Sequence, residues 1–181
     1  MHCDMRCKAV IFDMDGTILD TSEDLAAAIN YALAKFGHRG DFPVEDVCLF
    51  FGSGAHTAVQ RALAREAGVL TAVVSNKPDN SVTQLAEDYF GGLFDLAIGE
   101  TEGIARKPAP DMNYLILDKL GVSAEDAVYV GDTEIDIATA RNIGMDLIMV
   151  SWGFRPVSYQ KTLGATTIVD SADEIFALVS G

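Results

Sequence analysis

Apolar residues in this chain follow two rhythms, and the change between them falls at residue 69. Ahead of it stands one short run, Val10-Ile11-Phe12, which reads as a buried strand. Next, Leu25, Ile29 and Leu33 recur at four-residue spacing towards Phe36, one apolar stripe of a helix that starts near Thr21-Ser22-Glu23-Asp24. Residues 37–43 break that helix, residues 44–51 predict a second, and residues 55–67 a third, which Gly68 stops. From residue 69 onward, short apolar runs at 69–74, 93–98, 127–130, 145–150 and 167–169 alternate with helical patterns. That alternation predicts a parallel sheet with crossover helices. Asp79 and Asp111 stand where they would cap two of those helices, and Gly121 would end the second. The expected fold is α/β: a mainly parallel sheet flanked by helices, in flavodoxin-like strand order. A reduced α-helical cap over residues 18–66 interrupts a core formed by residues 1–17 and 67–181.

The polar groups that follow the apolar runs supply the chemistry. Val10-Ile11-Phe12 leads straight into Asp13-Met14-Asp15-Gly16-Thr17. Strand alternation points Asp13 and Asp15 the same way, and Gly16 lets the backbone approach whatever binds there. Two carboxylates this close repel unless a cation or a shared proton intervenes. Ser75 and Asn76 end the next run, Asp132 ends the run at 127–130 with Asp136 just beyond, and Lys107 lies in the rigid loop Arg106-Lys107-Pro108-Ala109-Pro110. In a parallel sheet all strand C-termini lie along one edge, so these groups can converge. Carboxylates, a hydroxyl, an amide and a lysine suit Mg²⁺, which takes one or two carboxylates plus substrate phosphate. A carboxylate can also attack phosphorus. Lys77 reads as a solvated surface charge, and Trp152-Gly153-Phe154 as packing near the rim.

Charge and composition narrow the partners. The formal net charge of −14 makes broad nucleic-acid binding improbable, because phosphate neutralisation needs basic patches. A small anionic substrate fits if a metal and a few placed cations make one pocket locally positive. No apolar run has the length of a membrane span, and residues 1–8 carry no apolar signal core. Three cysteines, Cys3, Cys7 and Cys48, suit a reducing cytoplasm.

Taken in order, Asp13-x-Asp15-Gly16-Thr17, Ser75-Asn76-Lys77, Lys107-Pro108 and Gly131-Asp132 with Asp136 resemble the four motifs of the haloacid dehalogenase-like superfamily, and more closely its phosphoglycolate phosphatase branch. Residues 8–68 resemble that family's opening strand and the first part of its helical cap, and residues 69–171 the rest of its core. The resemblance implies a Mg²⁺-dependent phosphatase acting on a small phosphorylated metabolite of phosphoglycolate type through an aspartyl-phosphate. By the same resemblance, Asp13 is nucleophile and Mg²⁺ ligand. Asp15 is acid and base and binds Mg²⁺ through its carbonyl. Thr17 steadies the turn beside the phosphate. Ser75 and the Asn76 backbone hold phosphate oxygens, and Lys107 neutralises phosphate and nucleophile. Asp132 ligates Mg²⁺, and Asp136 does so through water or orients its shell. Gly52-Ser53-Gly54 resembles the cap loop that faces the substrate.

One departure stands out. In the family, further cap helices and a return turn precede the second core strand, whereas here Arg65-Glu66-Ala67-Gly68 runs directly into Val69. A block on the order of 40 residues, about a third of a small domain, has no counterpart. Two alternatives to the phosphatase stay open at this point: a sugar phosphomutase of the same superfamily, and a Mg²⁺-binding remnant without enzymatic activity. A shortened cap would leave the Leu25, Ile29, Leu33 face and the Val59, Leu63 face unburied, which predicts a homodimer joined through residues 20–66.

Overall fold

The computed structural model describes residues 7–19, 69–90 and 94–179. The helices expected within residues 21–67, the Gly52-Ser53-Gly54 turn and the faces expected to join two subunits lie outside the described residues.

Among the described residues, six strands form one sheet: β1 (Ala9–Asp13), β2 (Leu70–Pro78), β3 (Leu96–Glu100), β4 (Ala127–Gly131), β5 (Asp146–Val150) and β6 (Ile168–Val169). Every neighbouring pair is parallel. The helices are α1 (Asp79–Phe90), α2 (Asp111–Leu120), α3 (Glu134–Ile143), α4 (Val157–Thr162) and α5 (Ala172–Val179).

The strand order is β3-β2-β1-β4-β5-β6, which corrects the flavodoxin-like order expected from the sequence. Alternation of strands and helices shows that strands run parallel, but not on which side of β1 each new one joins. Burial decides it. β4 (AVYVG) is buried at every position and suits the centre, beside β1. β3 (LAIGE) is half-buried at its start and exposed at its end, which suits the edge. The sheet therefore switches direction between β1 and β4, and ligands of such sheets bind at that point, beyond the carboxyl ends of the strands.

The right-handed crossover rule then sorts the helices. Travel from β2 outward to β3 places α1 on one face, and travel back towards β4 and β5 places α2 and α3 on the other. Strand alternation supplies both faces. Val10, Phe12, Val73, Val128 and Val130 pack with α1 and α5 through Val82, Phe90, Ile175 and Val179. Positions one residue out of phase do the same opposite: Ala9, Ile11, Ala72, Val74 and Tyr129 pack with α2 and α3 through Met112, Ile116, Ala140 and Ile143.

Two helix starts differ from expectation. Pro110 occupies the cap position of α2 without a side-chain bond, and Asp111 is the first helical residue. Asp79 opens α1, and its carboxylate accepts the Gly99 N–H at 2.8 Å rather than capping its own helix. Both acids still lie in a first turn, where the helix dipole favours negative charge. Among the described residues, no helix is long and apolar enough to cross a membrane.

Phe12 is 1% exposed and meets Phe94 edge-on, with ring centroids 6.3 Å apart. Phe12→Ala should cost about 3–5 kcal/mol in denaturant unfolding. A loss under about 1 kcal/mol would mean that the face beneath β1 collapses to fill the gap.

Candidate active site

β1 ends in Asp13, and a tight turn follows it. The Ile18 and Leu19 N–H groups both donate to the Met14 carbonyl at 3.0 Å, and Gly16 N–H donates to the Leu19 carbonyl at 3.0 Å. Gly16 has φ +80°, and a Cβ there would stand 2.8 Å from Asp132 Oδ2. Only glycine meets both demands. The Thr17 hydroxyl lies 3.2 Å from Asp132 Oδ1 and 3.5 Å from Asp13 Oδ2, so it ties the turn to two carboxylates. Thr17 is 1% exposed and sits behind the cavity wall.

The loop after β3 brings Lys107 across to β1. Asn76 Nδ2 donates to the Lys107 carbonyl at 3.0 Å and pins that loop. The Lys107 ammonium then meets three acceptors: Asp13 Oδ1 at 2.5 Å, Asp136 Oδ1 at 2.9 Å and the Tyr129 hydroxyl at 3.1 Å. An ammonium has three N–H donors, so each has an acceptor here. Tyr129 also donates to Asp136 Oδ1 at 3.1 Å.

Asp136 stands in the first turn of α3 and forms a capping box with Thr133, so a functional role and a capping role coincide. Its Oδ2 accepts from the Thr133 hydroxyl at 2.7 Å, Thr133 N–H at 3.0 Å and Asp132 N–H at 3.2 Å. Both of its oxygens are thus engaged by the protein. Asp132 accepts from Thr17 and from the Phe154 N–H. A Cβ on Gly153 would stand 2.2 Å from Asp132 Cβ, so the loop after β5 must be glycine there to close over this acid. The Gln160 amide donates to the Val150, Arg155 and Asp132 carbonyls at 2.9, 3.1 and 3.2 Å, lacing the β4 and β5 loops together.

Electrostatics follow from this packing. Burial pushes Asp13 well above the usual carboxylate range, and Asp136 and Asp132 add to it against the pull of Lys107. Burial, and then Asp136, push Asp132 up to about 7. Burial would do the same to Asp136, but the Lys107 charge and the hydrogen bonds from Lys107 and Thr133 outweigh it and hold Asp136 low. Burial alone would lower Lys107. The Asp13 and Asp136 carboxylates overcome that and hold it well above its ordinary value, so Lys107 stays charged. The site therefore has more negative charge than its own cations neutralise. Asp13, Asp132 and Asp136 each present an oxygen within 4.8 Å of the others, all three buried. Buried carboxylates at that spacing, two of them raised, fit a hard divalent cation with oxygen ligands.

A cavity of about 370 Å³ opens above these groups, and Asp13, Asp15, Ser75, Asn76 and Lys107 all line it. The Ser75 hydroxyl accepts the Lys77 N–H at 3.2 Å, and Asn76 Oδ1 is buried without a partner among the described residues. Gly52, Ser53 and Gly54 lie outside the described residues.

Four residues at this site were not singled out from the sequence, or were read otherwise. Lys77 is no free surface charge: its ammonium is 3.0 Å from Asp15 Oδ1 and lines the cavity. Its place two residues beyond Ser75, on the same strand end, was the available signal. Tyr129 read as an ordinary strand apolar; no sequence pattern marks its hydroxyl. Arg155, from the loop after β5, and Glu134, the first residue of α3, form a two-bond ion pair at 2.7 and 2.9 Å beside the cavity, and only the fold brings them together. Trp152, partly buried, packs against the core, and also donates its indole N–H to the Thr17 carbonyl at 3.1 Å.

Comparison with known proteins agrees with this geometry. Residues 10–65 and 58–150 match the family described as haloacid dehalogenase-like hydrolase. Phosphoglycolate phosphatase of Pseudomonas savastanoi pv. phaseolicola is 28% identical over 199 residues, covering 83% of this chain and 73% of that protein. Phosphoglycolate phosphatase 1 of Pseudomonas aeruginosa is 26% identical over 216 residues, covering 93% and 78%. The crystal structure of a candidate phosphoglycolate phosphatase from Lactobacillus delbrueckii subsp. bulgaricus superposes with a TM-score of 0.85 at 42% identity, over 98% of this chain and 100% of that one. Both sequence alignments run longer than the 181 residues present here, so those two relatives carry residues with no counterpart in this chain.

The charge excess has a measurable consequence. The folded Asp132 carboxyl titrates near 7, above its ordinary 3.8. Its contribution to stability is therefore complete below about pH 4 and lost as pH rises through 7 in the metal-free protein. A bound cation reverses that loss. Mg²⁺ should bind roughly tenfold more weakly for each pH unit below 7, and should raise the melting temperature more at pH 8 than at pH 5.5. Equal shifts at the two pH values would show that these carboxylates do not hold the metal.

Proposed function

Because the chain belongs to the haloacid dehalogenase-like hydrolases, we propose that it is a Mg²⁺-dependent phosphatase that hydrolyses a small phosphorylated metabolite, of phosphoglycolate type, through an aspartyl-phosphate on Asp13. The observation that carries this reading is the Asp13 carboxylate, held at Oδ1 by Lys107 at 2.5 Å, at the base of a cavity that also admits Asp15.

Each residue has a role in that scheme. The Asp13 carboxylate oxygen attacks phosphorus, and the bond from phosphorus to the ester oxygen breaks. Asp15, carrying a proton, gives it to the leaving oxygen, so that an alcohol departs. Asp15 then takes a proton from water as the water oxygen attacks the aspartyl-phosphate. Inorganic phosphate leaves, and Asp13 returns as a carboxylate. Ser75 and Asn76 hold the phosphoryl oxygens from the end of β2. Lys107 holds the Asp13 carboxylate in orientation and opposes, without cancelling, the upward push of burial. The Asp13 and Asp132 carboxylates and the Asp15 backbone carbonyl would hold Mg²⁺, with Asp136 orienting its surroundings. When bound, the metal supplies charge neutralisation for the phosphoryl oxygens and the attacking carboxylate.

The phosphoglycolate assignment draws on the names of the two Pseudomonas relatives. Measuring release of inorganic phosphate with Mg²⁺ tests both levels of the proposal. The protein should cleave p-nitrophenyl phosphate slowly and phosphoglycolate faster. Asp13→Asn should reduce either rate by roughly a thousandfold or more, with the circular dichroism spectrum unchanged. Undiminished turnover in Asp13→Asn would refute the nucleophile. Cleavage of the generic ester without preference for phosphoglycolate would refute the substrate alone.

A further inference from the structure

Among the described residues three cations line the cavity, and two of them are already committed. Lys107 is buried, and its three N–H groups face Asp13, Asp136 and Tyr129, so a phosphoryl oxygen could gain it only by displacing one of them. Arg155 gives two donors to Glu134, whose carboxylate cancels its charge. Lys77 differs. Among the described residues, its ammonium has one partner, Asp15 Oδ1 at 3.0 Å, and that oxygen receives no hydrogen bond of good alignment. Lys77 also keeps 27% of its side chain exposed, where Lys107 keeps 4%.

Charge counting points the same way. Among the described residues, Asp13, Asp15, Asp132 and Asp136, once all are ionised, carry two more charges than Lys77 and Lys107 return, with Arg155 offset by Glu134, and a divalent metal would cancel that excess. A phosphate dianion then enters a site with no positive surplus. Among the described residues, the one cavity cation able to turn towards it without giving up a well-aligned hydrogen bond is Lys77.

We infer that Lys77 is a catalytic residue: its ammonium moves from Asp15 to a non-bridging oxygen of the entering phosphoryl group, and in doing so frees the Asp15 oxygen, which takes a proton from solvent and passes it to the leaving oxygen. This assignment presupposes the phosphatase reading above. It gives the two lysines separate tasks. Lys107 serves the nucleophile from beneath, and Lys77 serves the phosphoryl group and the acid–base residue from the side. No bond to Lys77 forms or breaks covalently; it exchanges one anionic partner for another.

The test uses Lys77→Gln, Lys77→Arg and, as a control far from the cavity, Lys161→Gln. Two readouts separate binding from turnover. One is cleavage of p-nitrophenyl phosphate with Mg²⁺. The other is the affinity for orthovanadate, a phosphate mimic, followed by the fluorescence of the single tryptophan, Trp152, which is tied to the Thr17 carbonyl beside the site. Removing a charged hydrogen-bond donor should lower kcat/KM and weaken vanadate binding by about 10- to 100-fold each in Lys77→Gln. Lys77→Arg should recover part of both, and Lys161→Gln should match the wild type. Changes below threefold in both readouts of Lys77→Gln would return Lys77 to a surface charge. Lost turnover with unchanged vanadate affinity would also overturn the inference, since Lys77 would then only hold Asp15 in place. A wild-type protein that binds vanadate yet cleaves no ester would refute the phosphatase while vanadate affinity still judged Lys77; one that does neither refutes both.

Discussion

A single buried ammonium ties this site together. Lys107 has three donors and three acceptors, drawn from β1, from β4 and from the start of α3. Burying a lysine is costly unless each donor is paired and opposite charge surrounds it. That condition constrains everything nearby. Asp13 must end β1, Asp136 must stand in the first turn of α3, and the loop after β3 must cross β2, where Asn76 grips its backbone. Removing either carboxylate would strand the ammonium, so the site's geometry and its local stability depend on the same contacts.

The carboxylates outnumber the cations, and this shapes the surrounding loops. Asp132, with a carboxyl titrating near neutrality, is enclosed by Thr17 from one loop and by Gly153 and Phe154 from another. Gln160 binds the backbone carbonyls of both strands' loops, so α4 acts as a brace on the site rather than as a mere connection. The haloacid dehalogenase-like fold thus gathers acid from successive strand ends at the point where the sheet reverses. Such a cluster fits a divalent cation, and the chain's own cations leave its carboxylates in excess.

Much of this could be read from the sequence because strand ends were marked by abrupt changes in chemistry. Val10-Ile11-Phe12 before Asp13, and Val128-Tyr129-Val130 before Gly131-Asp132, define both a buried strand and the polar group it delivers. What was not legible depended on contacts between distant segments. The position of β3 at the edge follows from which strand can be buried on both faces, and alternation does not encode it. The Tyr129 hydroxyl looked like core because nothing near it in sequence is charged; its partners lie at 107 and 136. Lys77 looked solvated for the same reason, its partner being Asp15. Asp111 and Asp79 looked like caps because acids commonly are, yet Pro110 and the Gly99 N–H decide their roles.

The central claim is that Asp13 is the atom-bearing partner in phosphoryl transfer, and trapping the intermediate tests it most directly. Enzyme quenched with acid during turnover, reduced with borohydride and mapped by mass spectrometry should show the Asp13 side chain converted to homoserine, in proportion to the steady-state phosphoenzyme. Turnover accompanied by modification at another residue, or by none in a quench fast enough to catch a single cycle, would contradict it.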